Sequence, residues 1–239
     1  MSSYYGFAPY VSVAEKRQKA DRQIEKLKKK NKDLEPVLIE GNKIALTWWG
    51  QSWNRNLESY ADYSNRISRG KSYVKNHAVL NLKMDHNHVT ALVQGSGSKP
   101  YTVTVTVDEL EEKRWKKIIE LCNKQIDSVE KLAEGTFPKE LAVLFMEHKY
   151  GLFPSPAEIH FSCSCPDYAY MCKHVAAVLY GIGARLDKNP LLFFELRNVD
   201  YQELIKKSVE NKLESMLKNA GKKSKRAIPA DQAHDIFGI

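Results

Sequence analysis

Residues 163–174 read CSCPDYAYMCKH, and this stretch decides how the carboxy-terminal half of the 239-residue chain folds. It holds three of the chain's four cysteines together with one histidine, in the spacing C-x-C-x6-C-x-H. Structural zinc sites are closed tetrahedra of four cysteine or histidine ligands. The stretch therefore predicts one structural Zn²⁺ bound by Cys163, Cys165, Cys172 and His174.

The sequence around the stretch can bring these four side chains together. Cys163 and Cys165 follow an extended segment, and residues two apart in a strand point to the same side. Pro166-Asp167 predicts a turn, because proline fixes its own φ and lacks a backbone donor. Helical spacing of apolar residues follows, at Val175, Val178, Leu179 and Ile182. Cys172 and His174 are therefore expected in the first turn of a helix, whose positive end keeps thiolates ionised.

The cysteines also admit interpretations other than a structural zinc site. A buried cysteine cluster or a coincidental spacing needs no metal, but clustered cysteines in an intracellular chain usually bind one. A catalytic zinc is disfavoured because four protein ligands leave no open position for water. A cysteine nucleophile is disfavoured because no base with its own orienting partner accompanies it. The chain is therefore expected not to be an enzyme and to have no small-molecule substrate.

The pattern, the helix after it and the segment GARLDKNPLLFFELRNVD (183–200) resemble the SWIM zinc finger. The likeness to the prokaryotic SWIM-finger family extends over about residues 6–205, through GFAPYVSVAEKR (6–17), the segment 44–76 and the segment 151–187. Family members often carry tryptophan where Tyr168 stands. The resemblance implies a protein accessory to a Snf-type helicase or ATPase, or to a recombination or transposition assembly.

Bulk properties narrow the partners. The formal net charge of +8 favours a polyanionic partner, although a solvated basic surface would have the same composition. No apolar run approaches the roughly 20 residues of a membrane span, and the first ten residues lack the form of a secretory signal. With a metal site of reduced thiols, these features predict a cytoplasmic protein.

Cations interleaved with aromatic residues mark a second candidate site. Rings stack on bases while arginine and lysine neutralise phosphates. The candidate contacts to nucleic acid, with DNA favoured over RNA, are Arg66, Arg69, Lys71, Lys75 and Lys173. The alternative is that these cations are merely exposed, and Trp48 and Trp53 are expected in the core. Gly70-Lys71-Ser72 imitates the end of a phosphate loop, but Asn65 stands where its first glycine would be.

The fold class is predicted as α+β, an antiparallel sheet of about five strands with helices, followed by a small zinc module and a basic tail. The predicted strands are 36–40, 43–48, 78–84, 89–93, 101–107 and 158–162. The first two would pair around Gly41-Asn42, a hairpin signal. In the third, Ala78, Leu80, Leu82 and Met84 would share the buried face.

The predicted helices begin with a capping box. Ser12 and Glu15 predict a helix over 13–30, and Asp108 to Glu112 open another, which buries Trp115, Ile118, Ile119 and Cys122. Shorter helices are expected over 128–134, over 138–149 and after Pro190. The predicted domains are 1–35, a basic helix; 36–134, the α+β module; 135–205, the zinc-finger module; and 206–239, a basic helix and flexible tail.

The tail ends in an apolar tip after a basic linker, which is typical of a docking peptide. Ile236, Phe237 and Ile239 are the candidate docking residues, and a tip that folds back on its own domain is the alternative. Two functions therefore remain open. The first is a non-enzymatic nucleic-acid-binding protein, and the second is a protein–protein adaptor with purely structural zinc.

Overall fold

The structure, a computed structural model, describes residues 11–59, 64–122, 129, 131–132, 139–147 and 150–220. Its strands are β1 (Val79–Asp85), β2 (His88–Val93), β3 (Tyr101–Val107) and β4 (Ile159–Cys163). The helices named below are α1 (Val13–Lys28), α2 (Trp48–Ser59), α3 (Ser64–Lys75), α4 (Glu112–Cys122), α5 (Ala142–Met146), α6 (Lys173–Lys188), α7 (Leu192–Leu196) and α8 (Tyr201–Ala220). Short 3₁₀ turns precede α5 at Lys139–Leu141 and β4 at Pro156–Glu158.

The strands form one antiparallel sheet in the order β1-β2-β3-β4. The α+β prediction is confirmed, with four strands rather than five. β4 leads directly into the first cysteine and pairs with β3 from Val103↔Cys163 to Val107↔Ile159. The sheet therefore fixes one ligand of the predicted zinc site. The domain boundaries given above remain predictions.

The hairpin predicted over 36–48 is wrong. Gly41 does adopt a positive φ of 72°, but no strand forms on either side of it. Residues 35–37 only run beside β1, where Val37 N–H donates to Val79 O at 3.1 Å and Glu35 O accepts from Leu82 N–H at 2.8 Å. After Gly41 the chain instead enters α2.

Asp187 of α6 holds the backbone of residues 46 and 47, immediately before α2 begins. Its Oδ2 atom accepts the Leu46 N–H at 2.9 Å and its Oδ1 atom accepts the Thr47 N–H at 2.6 Å. Thr47 Oγ1 in turn accepts the Gly50 N–H at 3.3 Å, as an N-terminal capping residue does. A carboxylate far away in the sequence thus holds the local structure.

A β-bulge corrects the predicted face of β1. Val79 pairs with Val93 and Asn81 with Leu92, so Leu80 is the extra residue. Val79 and Leu82 are both fully buried in the main core. Leu80 points to the opposite side of the sheet, where it packs with Ala20 and Ile24 of α1.

The main core lies between the sheet and α6. Val103, Val105 and Val107 of β3 are fully buried and alternate with less buried residues, which confirms the strand predicted over 101–107. α6 approaches β1 closely, because a Cβ atom added at Gly181 would lie 2.8 Å from Leu82 Cδ1. Trp53 is fully buried and donates from Nε1 to Leu179 O at 2.8 Å, as expected of a core residue. Trp48 is only half-buried at the edge of the core.

The helix predictions are mostly confirmed. The Ser12–Glu15 capping box opens α1, and the predicted buried side of α4 is buried. Of 128–134 only residues 129, 131 and 132 are described, and they are helical. The helix predicted over 138–149 is the shorter α5, and α7 buries Phe193, Phe194 and Leu196.

The chain described ends with α8, and the candidate docking residues 236, 237 and 239 lie outside the described residues. Among the helices that the structure describes, none is both long and apolar enough to cross a membrane.

Candidate metal centre

Three structural elements position the four predicted ligands. Cys163 is the last residue of β4, and Cys165 lies in the bend that follows it. Cys172 is the N-terminal capping residue of α6, and His174 is the second residue of that helix. The predicted turn after Cys165 and the predicted helix after Cys172 are therefore confirmed. The turn and the helix together bring Cys172 and His174 close to Cys163 at the end of β4.

The ligand atoms converge on one point. The three Sγ atoms and the His174 nitrogen all lie within 4.8 Å of one another. His174 Nδ1 is 3.9 Å from Cys163 Sγ and 3.8 Å from Cys172 Sγ. In a tetrahedron with Zn–S bonds of about 2.3 Å and Zn–N bonds of about 2.0 Å, neighbouring ligand atoms are about 3.5–3.8 Å apart. The four side chains thus fit a single zinc ion after a small contraction.

The local electrostatics favour a thiolate at Cys172. Its pKa is lowered because its sulfur accepts hydrogen bonds from the Cys163 thiol, the His174 ring and the Val175 backbone N–H, which outweigh its burial. The pKa of Cys163 is raised because that thiol is the hydrogen-bond donor of the pair. Thiolate is the form that ligates metal, and a bound cation deprotonates a coordinating thiol outright.

Aromatic rings hold the imidazole of His174. Its ring centroid lies 4.6 Å from that of Tyr101 and 5.4 Å from that of Tyr73. Gly95 closes a third side, because a Cβ atom there would lie 3.3 Å from His174 Nε2 and 2.4 Å from Tyr101 Cε2. With Nδ1 on the metal, Nε2 carries the proton, and this buried atom has no hydrogen-bond partner among the described residues. In most metal sites a hydrogen bond to a carboxylate or a carbonyl orients the ligating histidine. Here the packing of the aromatic rings orients it instead.

The loop between the ligands is tied to α3 by an ion pair. Arg66 Nη1 donates to Asp167 Oδ2 at 2.6 Å, and Asp167 Oδ1 accepts the Ala169 N–H at 3.3 Å. Tyr168 projects from the same loop and is fully exposed. The sequence interpretation assigned Asp167 only to a turn, so it missed this contact.

The candidate nucleic-acid contacts lie on α3 and at the start of α6. Arg69 and Lys75 are exposed, and neither forms an ion pair with any residue that the structure describes. Lys71 pairs with Glu58 at 2.8 Å, and Lys173 is half-buried in the first turn of α6. Their contacts with nucleic acid remain predictions.

Gly70 allows α3 to pack closely against α6, because it has no side chain at the contact. A Cβ atom at this position would lie 2.5 Å from Ala176 Cβ and 2.9 Å from the Ala176 carbonyl carbon. The glycine of the apparent phosphate loop is therefore a helix-crossing residue. Gly95 has a similar role against Tyr101 and His174.

A comparison with known protein families agrees with this geometry. The family model described as "SWIM zinc finger" matches residues 161–181. A Mycobacterium tuberculosis protein named "Uncharacterized protein Rv2102" is 33% identical over 163 residues. The match covers 68% of this chain and 58% of that relative, so the chain spans little more than half of the relative's length. No solved structure matches the chain.

Proposed function

Because residues 161–181 form a SWIM zinc finger with its four ligands already together, we propose that the chain is a non-enzymatic nucleic-acid-binding protein with one structural zinc ion. The zinc holds the finger folded, since the binding free energy of a structural metal is folding free energy. DNA is the preferred partner, and the protein acts in the cytoplasm.

The observation that carries the proposal is the pair of exposed cations on α3. Arg69 and Lys75 are exposed and therefore accessible to phosphate groups. The helix that carries them, α3, packs against α6 of the zinc finger at Gly70 and Ala176. Tyr168 adds an exposed ring in the finger loop, the kind of group on which an unpaired base stacks. The net charge of the whole chain, +8, also favours a polyanionic partner.

Resemblance to the SWIM family supports a protein partner as well. We expect the chain to accompany a Snf-type helicase or ATPase, or a recombination assembly. Co-purification of the tagged protein with and without nuclease tests this expectation. A partner ATPase that remains after nuclease treatment would support a direct contact, whereas loss of every partner would contradict it.

Titration of a labelled oligonucleotide at several salt concentrations tests the binding function. Each neutralised phosphate contributes about −0.9 to the slope of log affinity against log salt for duplex DNA. The double variant Arg69→Ala, Lys75→Ala should therefore flatten the slope by about two units. The variant Lys113→Ala, Lys139→Ala removes the same charge from other exposed positions and is the control. Affinity that does not change with salt would refute the proposal.

An adaptor function is the second candidate, and α8 supplies the observation that favours it. Its side chains Val209, Leu213, Met216 and Leu217 are 51–66% exposed, at spacings that place them along one side of the helix. Exposed apolar stripes of this kind suit a partner helix. Absence of any gel shift at low salt, with a partner retained after nuclease treatment, would favour the adaptor.

A further inference from the structure

The finger loop between Cys165 and Cys172 presents two exposed aromatic rings. Tyr168 is fully exposed, and Tyr170 is 59% exposed. Tyrosine has a large apolar ring that is usually partly buried in a folded protein. The two Cα atoms can be at most about 7 Å apart, because only one residue separates them. Two exposed rings this close together are more than the single scattered apolar residue that any protein surface carries.

The loop that carries the rings is held at both ends and in the middle. Cys165 and Cys172 are the zinc ligands at its ends, and Met171 is buried in the main core. In the middle, the ion pair between Asp167 and Arg66 ties the loop to α3 at 2.6 Å. A ligand therefore meets rings on a backbone that is already ordered, so its binding loses little free energy to the ordering of a loop.

A third ring positions Tyr170. The ring centroid of Tyr170 lies 4.4 Å from that of Phe161 on β4, at an interplanar angle of 40°. Aromatic pairs at such separations attract each other beyond the area that they bury. The contact therefore holds the Tyr170 ring in place while more than half of the residue still faces solvent.

The charges around the loop suit a strand of nucleic acid. Asp167 is the only acidic residue of the loop, and it is paired with Arg66. Arg69 lies one turn of α3 beyond Arg66, where it is exposed and forms no ion pair with any described residue. Lys173 follows directly after the loop. Proteins bind single strands through this combination, because rings stack on bases while cations contact phosphates.

We propose that Tyr168 and Tyr170 stack on neighbouring unpaired bases, so that the finger loop binds single-stranded nucleic acid. The inference rests on the proposed nucleic-acid binding and names the strand form. In a duplex the neighbouring base pairs cover the face of each base, so a tyrosine ring can reach it only after unstacking, which costs free energy. Every base has such a face, so the contact tolerates any sequence.

Fluorescence anisotropy with the full-length, zinc-loaded protein tests the proposal. The probes are a labelled oligothymidine and a labelled duplex of the same length, at the same salt concentrations. The double variant Tyr168→Ala, Tyr170→Ala should weaken binding to the oligothymidine at least about fivefold for each ring, the effect of one lost stacking contact. Its affinity for the duplex and its salt slope should not change, because the substitutions remove no charge.

Two control variants accompany the alanine variant. Tyr168→Phe, Tyr170→Phe keeps both rings and should bind the single strand as wild type does. Leu46→Ala removes an apolar side chain that is 71% exposed outside the finger, and it should leave binding unchanged. Zinc content shows whether the finger remains folded. Tyr168→Ala alone, at a fully exposed position, serves if loss of the contact with Phe161 disturbs the loop.

Unchanged affinity of the alanine variant for the single strand, or an equal loss for both probes, overturns the stacking role and leaves the proposed function standing. Loss of a co-purified protein from this variant, with unchanged binding of both probes, assigns the rings to a protein partner and overturns the stacking role as well. Failure of the wild-type protein to bind either probe overturns both the stacking role and the proposed function.

Discussion

Arg197 donates a hydrogen bond of 2.6 Å from Nη2 to Oε1 of Glu158, and its side chain is completely buried. The same carboxylate oxygen accepts a bond of 2.9 Å from Arg114 Nη1. The backbone is joined at the same place, since Asp108 N–H donates to Glu158 O and Leu110 N–H to Arg197 O. One carboxylate therefore bridges two guanidinium groups where the start of β4 meets the segments that flank α4 and α7.

Glu158→Gln is expected to destabilise the protein strongly. Nε and Nη1 of Arg197 already lack partners among the described residues, so the variant would leave a buried charge almost uncompensated. Breaking a buried pair typically costs about 3–5 kcal/mol, and we expect about 3 kcal/mol because Glu158 is 20% exposed. Urea unfolding of the zinc-loaded protein measures the change. Glu210→Gln, at an exposed position of α8, is the control and should stay within about 0.5 kcal/mol of wild type.

The contribution of Glu158 should also disappear in acid. Burial alone would raise the pKa of this carboxyl, but the hydrogen bond from Arg197 and the Ser155 backbone N–H lower it to about 2, from an ordinary value of 4.5. A lowered pKa gives stability that is present above about pH 4.5 and is lost as the pH falls towards 2. The difference in unfolding free energy between wild type and Glu158→Gln should therefore shrink across this window. A difference that stays constant would contradict the assignment.

Zinc content should depend on three of the four cysteines. Wild-type protein is expected to carry one equivalent of zinc, and Cys172→Ala should lose it because a closed site needs all four ligands. Elemental analysis measures the content, and circular dichroism after chelation measures the unfolding of the finger. Cys122→Ala is the matched control, since Cys122 is buried in α4 and belongs to no metal cluster among the described residues. Loss of zinc from Cys122→Ala would contradict the ligand assignment.

Gly70→Ala is expected to destabilise the contact between α3 and α6. The added Cβ would meet the Cβ and backbone carbon of Ala176, which cannot move away by a rotamer change. Overpacking costs about 1–3 kcal/mol or more, and we expect a net loss of about 2 kcal/mol despite the roughly 1 kcal/mol that alanine gains in a helix. Ser68→Ala at an exposed position of α3 is the control. Equal stability of the two variants would show that α3 can shift on α6.

The zinc ligands were predictable because their spacing is local. The end of a strand, a turn and the first residues of a helix all lie within twelve residues, and each has its own sequence signal. The clear alternation of β3 and the Ser12–Glu15 capping box were predictable for the same reason. The residues that define these features contact one another within a few positions of sequence.

The features that the sequence did not predict depend on contacts between distant residues. Asp187 holds the residue before α2 from 140 residues away, and Arg66 meets Asp167 across 101 residues. Both faces of β1 are buried. The bulge turns Leu80 to the face opposite the main core, and α1 covers that face. No local pattern at Thr47, Arg66 or Leu80 carries this information.

Asp167→Asn separates two roles of Arg66, which the sequence assigned to phosphate binding and which pairs with Asp167 at 2.6 Å. The two side chains are only 26% and 17% exposed, so the pair holds the finger loop against α3. Removing the carboxylate releases the guanidinium and leaves the Oδ1 contact with Ala169 in place. If Arg66 also contacts phosphate, the variant should bind an oligonucleotide more tightly, with a salt slope steeper by about one unit.

Asp85→Asn is the matched control, because it makes the same charge change at the exposed end of β1. Arg66→Ala should weaken binding, and the double variant Asp167→Asn, Arg66→Ala should behave like Arg66→Ala alone. The stability lost with the pair should be at most about 1 kcal/mol, the usual range for a partly exposed ion pair. If Asp85→Asn tightens binding as much as Asp167→Asn does, net charge alone explains the gain. Arg66 would then serve only to hold the loop that carries Tyr168 and two of the zinc-binding cysteines beside it.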